Sequence, residues 1–167
     1  FRGRCQPPAM LRRNEIASIT SQPGGSVWVN DTNSVGRIFD GLLSYTKGSH
    51  LLYMLRWILG DSVFFNGARQ YLKDPVLSYG FARTTDLQRH LEQVSGKKLD
   101  GFFADWFKGQ GYPTYTVEWT PLGSSFAKIK MNQVSSHPSV SFFELPVALQ
   151  FKNATQSKTI VVDNQQN

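Results

Sequence analysis

The feature that most restricts this chain is a change of hydrophobic period at one five-residue break, Gly109-Gln110-Gly111-Tyr112-Pro113. Before the break apolar residues return every three or four positions. After it they return every second position. Side chains advance by about 100° per residue on a helix and alternate faces on a strand, so neither pattern can be buried by the other's geometry. The break therefore divides the chain into a helical part, residues 1–112, and a strand-rich part, residues 113–167. The expected fold class is mostly α, a helical subdomain followed by a partial antiparallel β-sandwich-like segment.

Within the helical part, Leu51, Leu52, Leu55, Ile58 and Leu59 recur at helical spacing, from near Tyr45 to a terminating Gly60. Asp61 reads as the N-cap of a second helix, with Phe64, Ala68, Tyr71 and Leu72 on one face and Pro75 ending it. Thr85-Asp86-Leu87-Gln88 fits a capping box, in which the Thr hydroxyl and the Gln side chain satisfy each other's backbone donors. It opens a third helix with Leu87, Leu91 and Val94 as its stripe and Ser95-Gly96 as its close. A short fourth helix, Leu99 to Phe107, is dominated by Phe102, Phe103, Trp106 and Phe107. Residues 21–36, rich in Gly, Ser and Asn, read as a loop with a short extended piece.

After Pro113 three alternating runs are expected as strands: Tyr115 to Thr120, Ala127 to Asn132, and Phe143 to Phe151. Pro146 inside the last run marks an edge or a bulge. Ile160-Val161-Val162 supplies a fourth, short strand. Four strands in so short a stretch make part of a sandwich at most.

Composition narrows the class further. Hydrophobic residues make up 40% of the chain and there are 22 aromatic side chains, enough to fill a core and to exclude wholesale disorder. No run of about 18 apolar residues occurs, so no membrane span is expected. The single cysteine, Cys5, excludes an internal disulfide framework and a Cys-rich zinc site. The net charge of +6 divides into +3 over residues 1–20, +2 over 21–112 and +1 over 113–167. A nucleic-acid footprint concentrates charge along one element of the folded body, so nucleic acid is not an expected partner. An exposed helix end, or a surface facing an upstream segment, accounts for Arg2, Arg4, Arg12 and Arg13. The opening Phe-Arg-Gly-Arg-Cys has neither an initiator Met nor a signal-peptide pattern, and the chain reads as a piece of something longer. Asn30-Asp31-Thr32 and Asn153-Ala154-Thr155 match the glycosylation acceptor pattern, which arises often by chance. Periplasmic, extracellular and cytoplasmic locations all stay open.

The residues hold no complete catalytic constellation. His50, His90 and His137 are isolated, and the H-E-x-x-H pair that a zinc hydrolase places on one helix face is missing. There is no G-x-S-x-G nucleophile elbow and no G-x-x-x-x-G-K phosphate loop. Cys5 lies among arginines that would favour its thiolate, without a histidine nearby in sequence. Asp100 and Asp105, five apart, do not share a helix face, and capping and solvation account for them. No metal or cofactor is expected to be bound by this chain.

One ordered set of phrases adds to this reading. Tyr45-Thr46-Lys47-Gly48 is followed by Met54-Leu55-Arg56, Leu59-Gly60-Asp61, Phe64-Phe65 and Tyr71-Leu72. Thr85-Asp86-Leu87, Phe102-Phe103-Ala104-Asp105-Trp106 and Gly109-Gln110-Gly111-Tyr112-Pro113 complete the series. Their order and spacing closely resemble the later part of the catalytic domain in the aminopeptidase N family of zinc metallopeptidases, across about residues 21–120. The strands beyond resemble the start of the β domain that follows there. The resemblance implies a zinc-dependent aminopeptidase acting on the N-terminal residues of peptides. Its zinc ligands would lie in an upstream catalytic segment, outside this chain, so the chain alone would be inactive. It further implies that Tyr45, of the Y-x-K-G phrase, is the catalytic phenol that donates a hydrogen bond to the oxyanion formed when water attacks the scissile carbonyl. A phenol is a neutral donor at pH 7 on a rigid ring, which suits that task, and a helix start would add exposed backbone N–H groups. The competing account of Tyr45 is a buried aromatic at a helix start. Lys47 and Gly48 are expected to act structurally, with Lys47 reaching a carboxylate outside the chain. The alternative function is a non-catalytic peptide- or protein-interaction module on the same fold.

Overall fold

The computed structural model describes residues 9–123 and 126–166, so Cys5 and the arginines at positions 2 and 4 lie outside the described residues. Helix α1 spans Ala9–Thr20 and a four-residue helix, α2, spans Val35–Ile38. A π-helical turn, Gly41–Lys47, runs directly into α3, Gly48–Leu59. Then come α4 (Asp61–Lys73), α5 (Thr84–Ser95) and the single turn α6 (Asp100–Phe102), which widens into a second π-helical turn, Phe103–Lys108. Four strands follow: β1 (Pro113–Leu122), β2 (Phe126–Ser135), β3 (Leu145–Lys152) and β4 (Ser157–Asn164). Helices precede antiparallel strands, as the period change requires.

Several local expectations shift. The helix expected near Tyr45 begins at Gly41, so Tyr45 lies inside a turn rather than at a helix start. Asp61 is the first residue of α4, and its carboxylate takes both Nε and an Nη of Arg56 at 2.8 Å. The capping box does not form at Thr85. Helix α5 starts two residues earlier, with Arg83 as its N-cap, and the Asp86 carboxylate accepts the Arg83 backbone N–H at 2.8 Å. A carboxylate three residues into a helix is a stronger acceptor than the Gln amide. Gln88 is thereby free to reach Glu92 and Asp100, at 3.1 and 2.8 Å. Pro75 follows α4 as expected.

The core is built where α3, α5 and α6 meet. Leu51, Leu55, Leu91, Leu99, Phe102 and Phe103 are buried together, with Phe64, Leu87 and Trp106 packed against them. The strands form two separate hairpins, β1 with β2 and β3 with β4. Their registers run unbroken from Pro113↔Ser135 to Leu122↔Phe126 and from Leu145↔Asn164 to Lys152↔Ser157. Pro146 therefore sits on an open edge without a bulge. The third run was expected to begin at Phe143, but that residue precedes β3. It is fully buried, its ring centroid 4.6 Å from that of Trp106. The Gln133 amide holds its backbone, accepting from Phe143 N at 2.7 Å and donating to Phe143 O at 2.9 Å. Tertiary packing thus takes a residue out of a strand pattern and makes it a plug between the helices and hairpins.

Gly109 ends the second π-helical turn, its N–H donating to Ala104 O at 2.9 Å. A Cβ there would overlap the Asp105 carbonyl oxygen and the Val140 side chain, both closer than 3.0 Å. The helical backbone and the turn preceding β3 approach each other at this point only because the side chain is a hydrogen.

Candidate functional site

The Gly41–Lys47 turn is held at its start by Asp40. One carboxylate oxygen accepts the backbone N–H of Leu42 at 2.9 Å and of Leu43 at 2.6 Å. The Asp40 carbonyl accepts from Ser44 N and Tyr45 N, at 3.0 and 3.3 Å. The Tyr45 N–H is thus already used, and the cap brings negative charge to the turn. The expected exposed backbone donors at Tyr45 are not there. π-Helical turns are uncommon and concentrate at functional positions, because they re-aim side chains that a regular α-helix would direct elsewhere.

Tyr45 is 58% exposed and is not part of the core formed by the described residues. Among the described residues its hydroxyl has no hydrogen-bond partner, so the phenolic O–H is available to a ligand. Lys47 lies in the same turn but points inward and is 9% exposed. Its Nζ donates to the Gly25 carbonyl at 2.9 Å. Burial pushes the Lys47 pKa down, since a charged ammonium loses hydration there. Within the described residues the Lys47 ammonium is thus met by a backbone carbonyl.

The loop ahead of the turn is tied to it by residues that sequence reasoning missed. Arg37 donates one Nη2 to both Ser26 O and Trp28 O at 2.7 Å, and its Nη1 to Ser44 Oγ at 3.4 Å. Trp28 N donates to Phe107 O at 2.9 Å. The Gly25 N–H donates to Gln110 Oε1 at 2.8 Å. No short motif announces these contacts, because each joins single polar groups that lie apart in the chain. Asp40 alone carried a local signal, as an acidic residue immediately before a helical run.

The three histidines are kept apart. His50 is on α3, and burial lowers its pKa, with Glu15 opposing the shift and Arg12 adding to it. His90, on α5, is buried with Nε2 2.9 Å from Asp74 Oδ2. His137 lies in the turn after β2, its Nδ1 3.0 Å from Ser139 Oγ. Asp100 accepts from Gln88, whereas Asp105 is partly buried beside Glu144, and that burial raises its pKa. These two carboxylates serve different neighbours. Among the described residues no group of three His, Cys, Asp or Glu side chains converges so as to hold a metal ion. Nor is any helix there long and apolar enough to cross a membrane.

The family model described as "Peptidase family M1 domain" matches residues 9–106. Among similar proteins, the alanine/arginine aminopeptidase of Saccharomyces cerevisiae is 36% identical over 109 residues, 65% of this chain and 12% of that protein. Aminopeptidase 2, mitochondrial, of the same yeast is 30% identical over 152 residues, 87% of this chain and 15% of the relative. Aminopeptidase N of Lactococcus lactis is 33% identical over 90 residues, covering 54% of this chain and 10% of the relative. The chain thus spans between 10% and 15% of the length of these relatives. A family model that matches from α1 through the aromatic turn at Trp106, together with a relative 30% identical over 87% of the chain, shows that this chain belongs to peptidase family M1.

Proposed function

We propose that this chain is the tyrosine-bearing part of a zinc-dependent aminopeptidase that removes N-terminal residues from peptides. The observation that carries the reading is Tyr45 itself, more than half exposed on a capped turn with its hydroxyl unpartnered among the described residues. In this reading the zinc and its ligands belong to an upstream catalytic segment, and the described residues offer no set that fits the metal. This chain's own contribution is one hydrogen bond. The Tyr45 O–H donates to the carbonyl oxygen of the scissile peptide as negative charge develops there, and keeps its proton throughout. A donor fixed before the reaction stabilises that charge without reorganisation at the moment of attack. The division into a helical part of a catalytic domain, residues 1–112, and the start of a β domain, residues 113–167, belongs to the same proposal.

The test is hydrolysis of an aminoacyl p-nitroanilide. In the enzyme that contains this chain, Tyr45→Phe is expected to lower kcat by about 10²–10³ with KM nearly unchanged. The 167-residue chain alone is expected to show no zinc-dependent hydrolysis. Wild-type kcat in Tyr45→Phe would remove the donor role, and activity of the chain alone would remove the division of labour.

The open edges of the two hairpins favour a second reading. Each sheet has two strands, and Trp119 and Val161 are 69% and 59% exposed. A non-catalytic module binding an extended peptide by strand addition would use those edges. It predicts peptide binding that is indifferent to Tyr45→Phe.

A further inference from the structure

Leu43 and Lys47 stand two residues before and two after Tyr45. A π-helical turn is wider than an α-helical one, and in either geometry two steps are close to half a turn. Both side chains therefore leave the turn on the side away from Tyr45, and both meet the same residue. The Lys47 ammonium donates to Gly25 O at 2.9 Å. Gly25 also lies so close to Leu43 that a Cβ would stand 2.7 Å from both Leu43 Cδ atoms, and its φ of +92° is one that L side chains rarely adopt. The remaining polar group of Gly25, its N–H, is taken by Gln110 Oε1 at 2.8 Å. Gln110 is itself fixed from the strand side. Its N–H donates to Ser139 Oγ at 2.9 Å, and the Ser139 hydroxyl donates to Gln110 O at 3.3 Å.

We propose that Gln110 is a positioning residue for Tyr45, acting through Gly25, which forms the back wall of the Gly41–Lys47 turn. The segment around Gly25 has neither helix nor strand to hold it. Its place depends on side-chain bonds, and such segments open at low cost when those bonds are lost. If Gly25 drifts, the buried Lys47 ammonium loses its carbonyl or moves with it, since leaving a buried charge unpaired is the costlier course. Leu43 loses its contact at the same time. Two inward anchors on either side of Tyr45 then shift together, and the phenol on the outer side shifts with them. The inference rests on the reading of Tyr45 as the oxyanion donor, but the mechanical link does not depend on that chemistry.

The experiment places 3-fluorotyrosine at all six tyrosines of the 167-residue chain and assigns the Tyr45 fluorine line by its loss in Tyr45→Phe. Gln110→Met keeps side-chain length and removes the acceptor. It is expected to displace or split the Tyr45 line and to speed exchange of the Tyr45 amide about fivefold, the change expected for one neutral hydrogen bond. Gln110→Glu keeps an acceptor oxygen and is expected to restore both. The Tyr71 line, on α4, reports that the chain is folded. A Tyr45 line unmoved by Gln110→Met while Tyr71 is intact, or displaced equally by both substitutions, overturns the proposal. Should Gln110→Met not fold, Ser139→Ala loosens the Gln110 backbone and is read in the same way. In the full enzyme the expected signature of Gln110→Met is a fall of about fivefold in kcat at constant KM. A moved Tyr45 line together with a neutral Tyr45→Phe would defeat the chemical reading and leave the positioning intact.

Discussion

Replacing Asp40 tests whether the turn that presents Tyr45 is held by its own cap. The carboxylate accepts two backbone N–H groups, at 2.9 and 2.6 Å, which would otherwise be orphan donors at a helix start. Hydrogen bonds to an ionised acceptor contribute about 1.5–3 kcal/mol each when shielded. Asp40 is only half-buried, so water replaces part of that in the variant, and measured N-cap losses lie at about 0.5–2 kcal/mol. Two bonds on one carboxylate place Asp40→Ala near the top of that range, about 1.5–2 kcal/mol. Asp40→Asn keeps the oxygen and loses the charge, for about 0.5–1 kcal/mol. With a urea slope of about 2 kcal/mol per M, the unfolding midpoint should fall by about 0.8–1 M for Asp40→Ala and 0.25–0.5 M for Asp40→Asn. Amide exchange adds locality, because Tyr45 N bonds to Asp40 O at 3.3 Å and should lose protection before α5 does. An Asp40→Ala chain within about 0.5 kcal/mol of the parent, or an Asp40→Asn chain as weak as Asp40→Ala, would refute the reasoning.

Two further outcomes are expected. Gly109→Ala should cost about 3 kcal/mol in chemical denaturation, since its Cβ meets a backbone carbonyl that cannot move independently. Gly101→Ala, with nothing within 4 Å of its Cβ, should be near neutral, and equal losses at both positions would show that the close approach is not what Gly109 serves. The Asp74 carboxyl is held below its ordinary pKa of 3.8, first by the Val76 backbone N–H and then by Arg89 and His90. A depressed folded-state pKa means stability that is present above pH 3.8 and lost as the pH falls through the folded value. Acid titration of Asp74→Asn should therefore show a shallower fall of stability below that pH, and a slope equal to the parent's would rule the linkage out.

Particular residues show how far the sequence could be read. Leu51, Leu55 and Leu91 announced the core because burial of one helix stripe imposes a period that survives in the sequence, and Pro75 and Gly96 announced ends because their backbone limits are local. The role proposed for Tyr45 rests, in the sequence, on its phrase alone, Tyr45-Thr46-Lys47-Gly48. The capping box at Thr85 misled because Thr and Gln at the right spacing say nothing of a stronger carboxylate between them. Phe143 misled because a strand pattern cannot reveal that its first ring fills a gap beside Trp106.

By itself the sequence determined the change from helices to hairpins at Gly109–Pro113, the apolar stripes that form the core, and the order of phrases that marks the family. Those follow from backbone preference and from burial periods, both of which act between residues close in the chain. Only the tertiary structure decided that Tyr45 lies inside a π-helical turn, that Lys47 ends on a backbone carbonyl, and that Gly25 and Gln110, 85 residues apart, stand behind that turn. Those contacts join single polar groups across long loops. Their partners are set by where the packed core brings the chain together, and no local pattern records that.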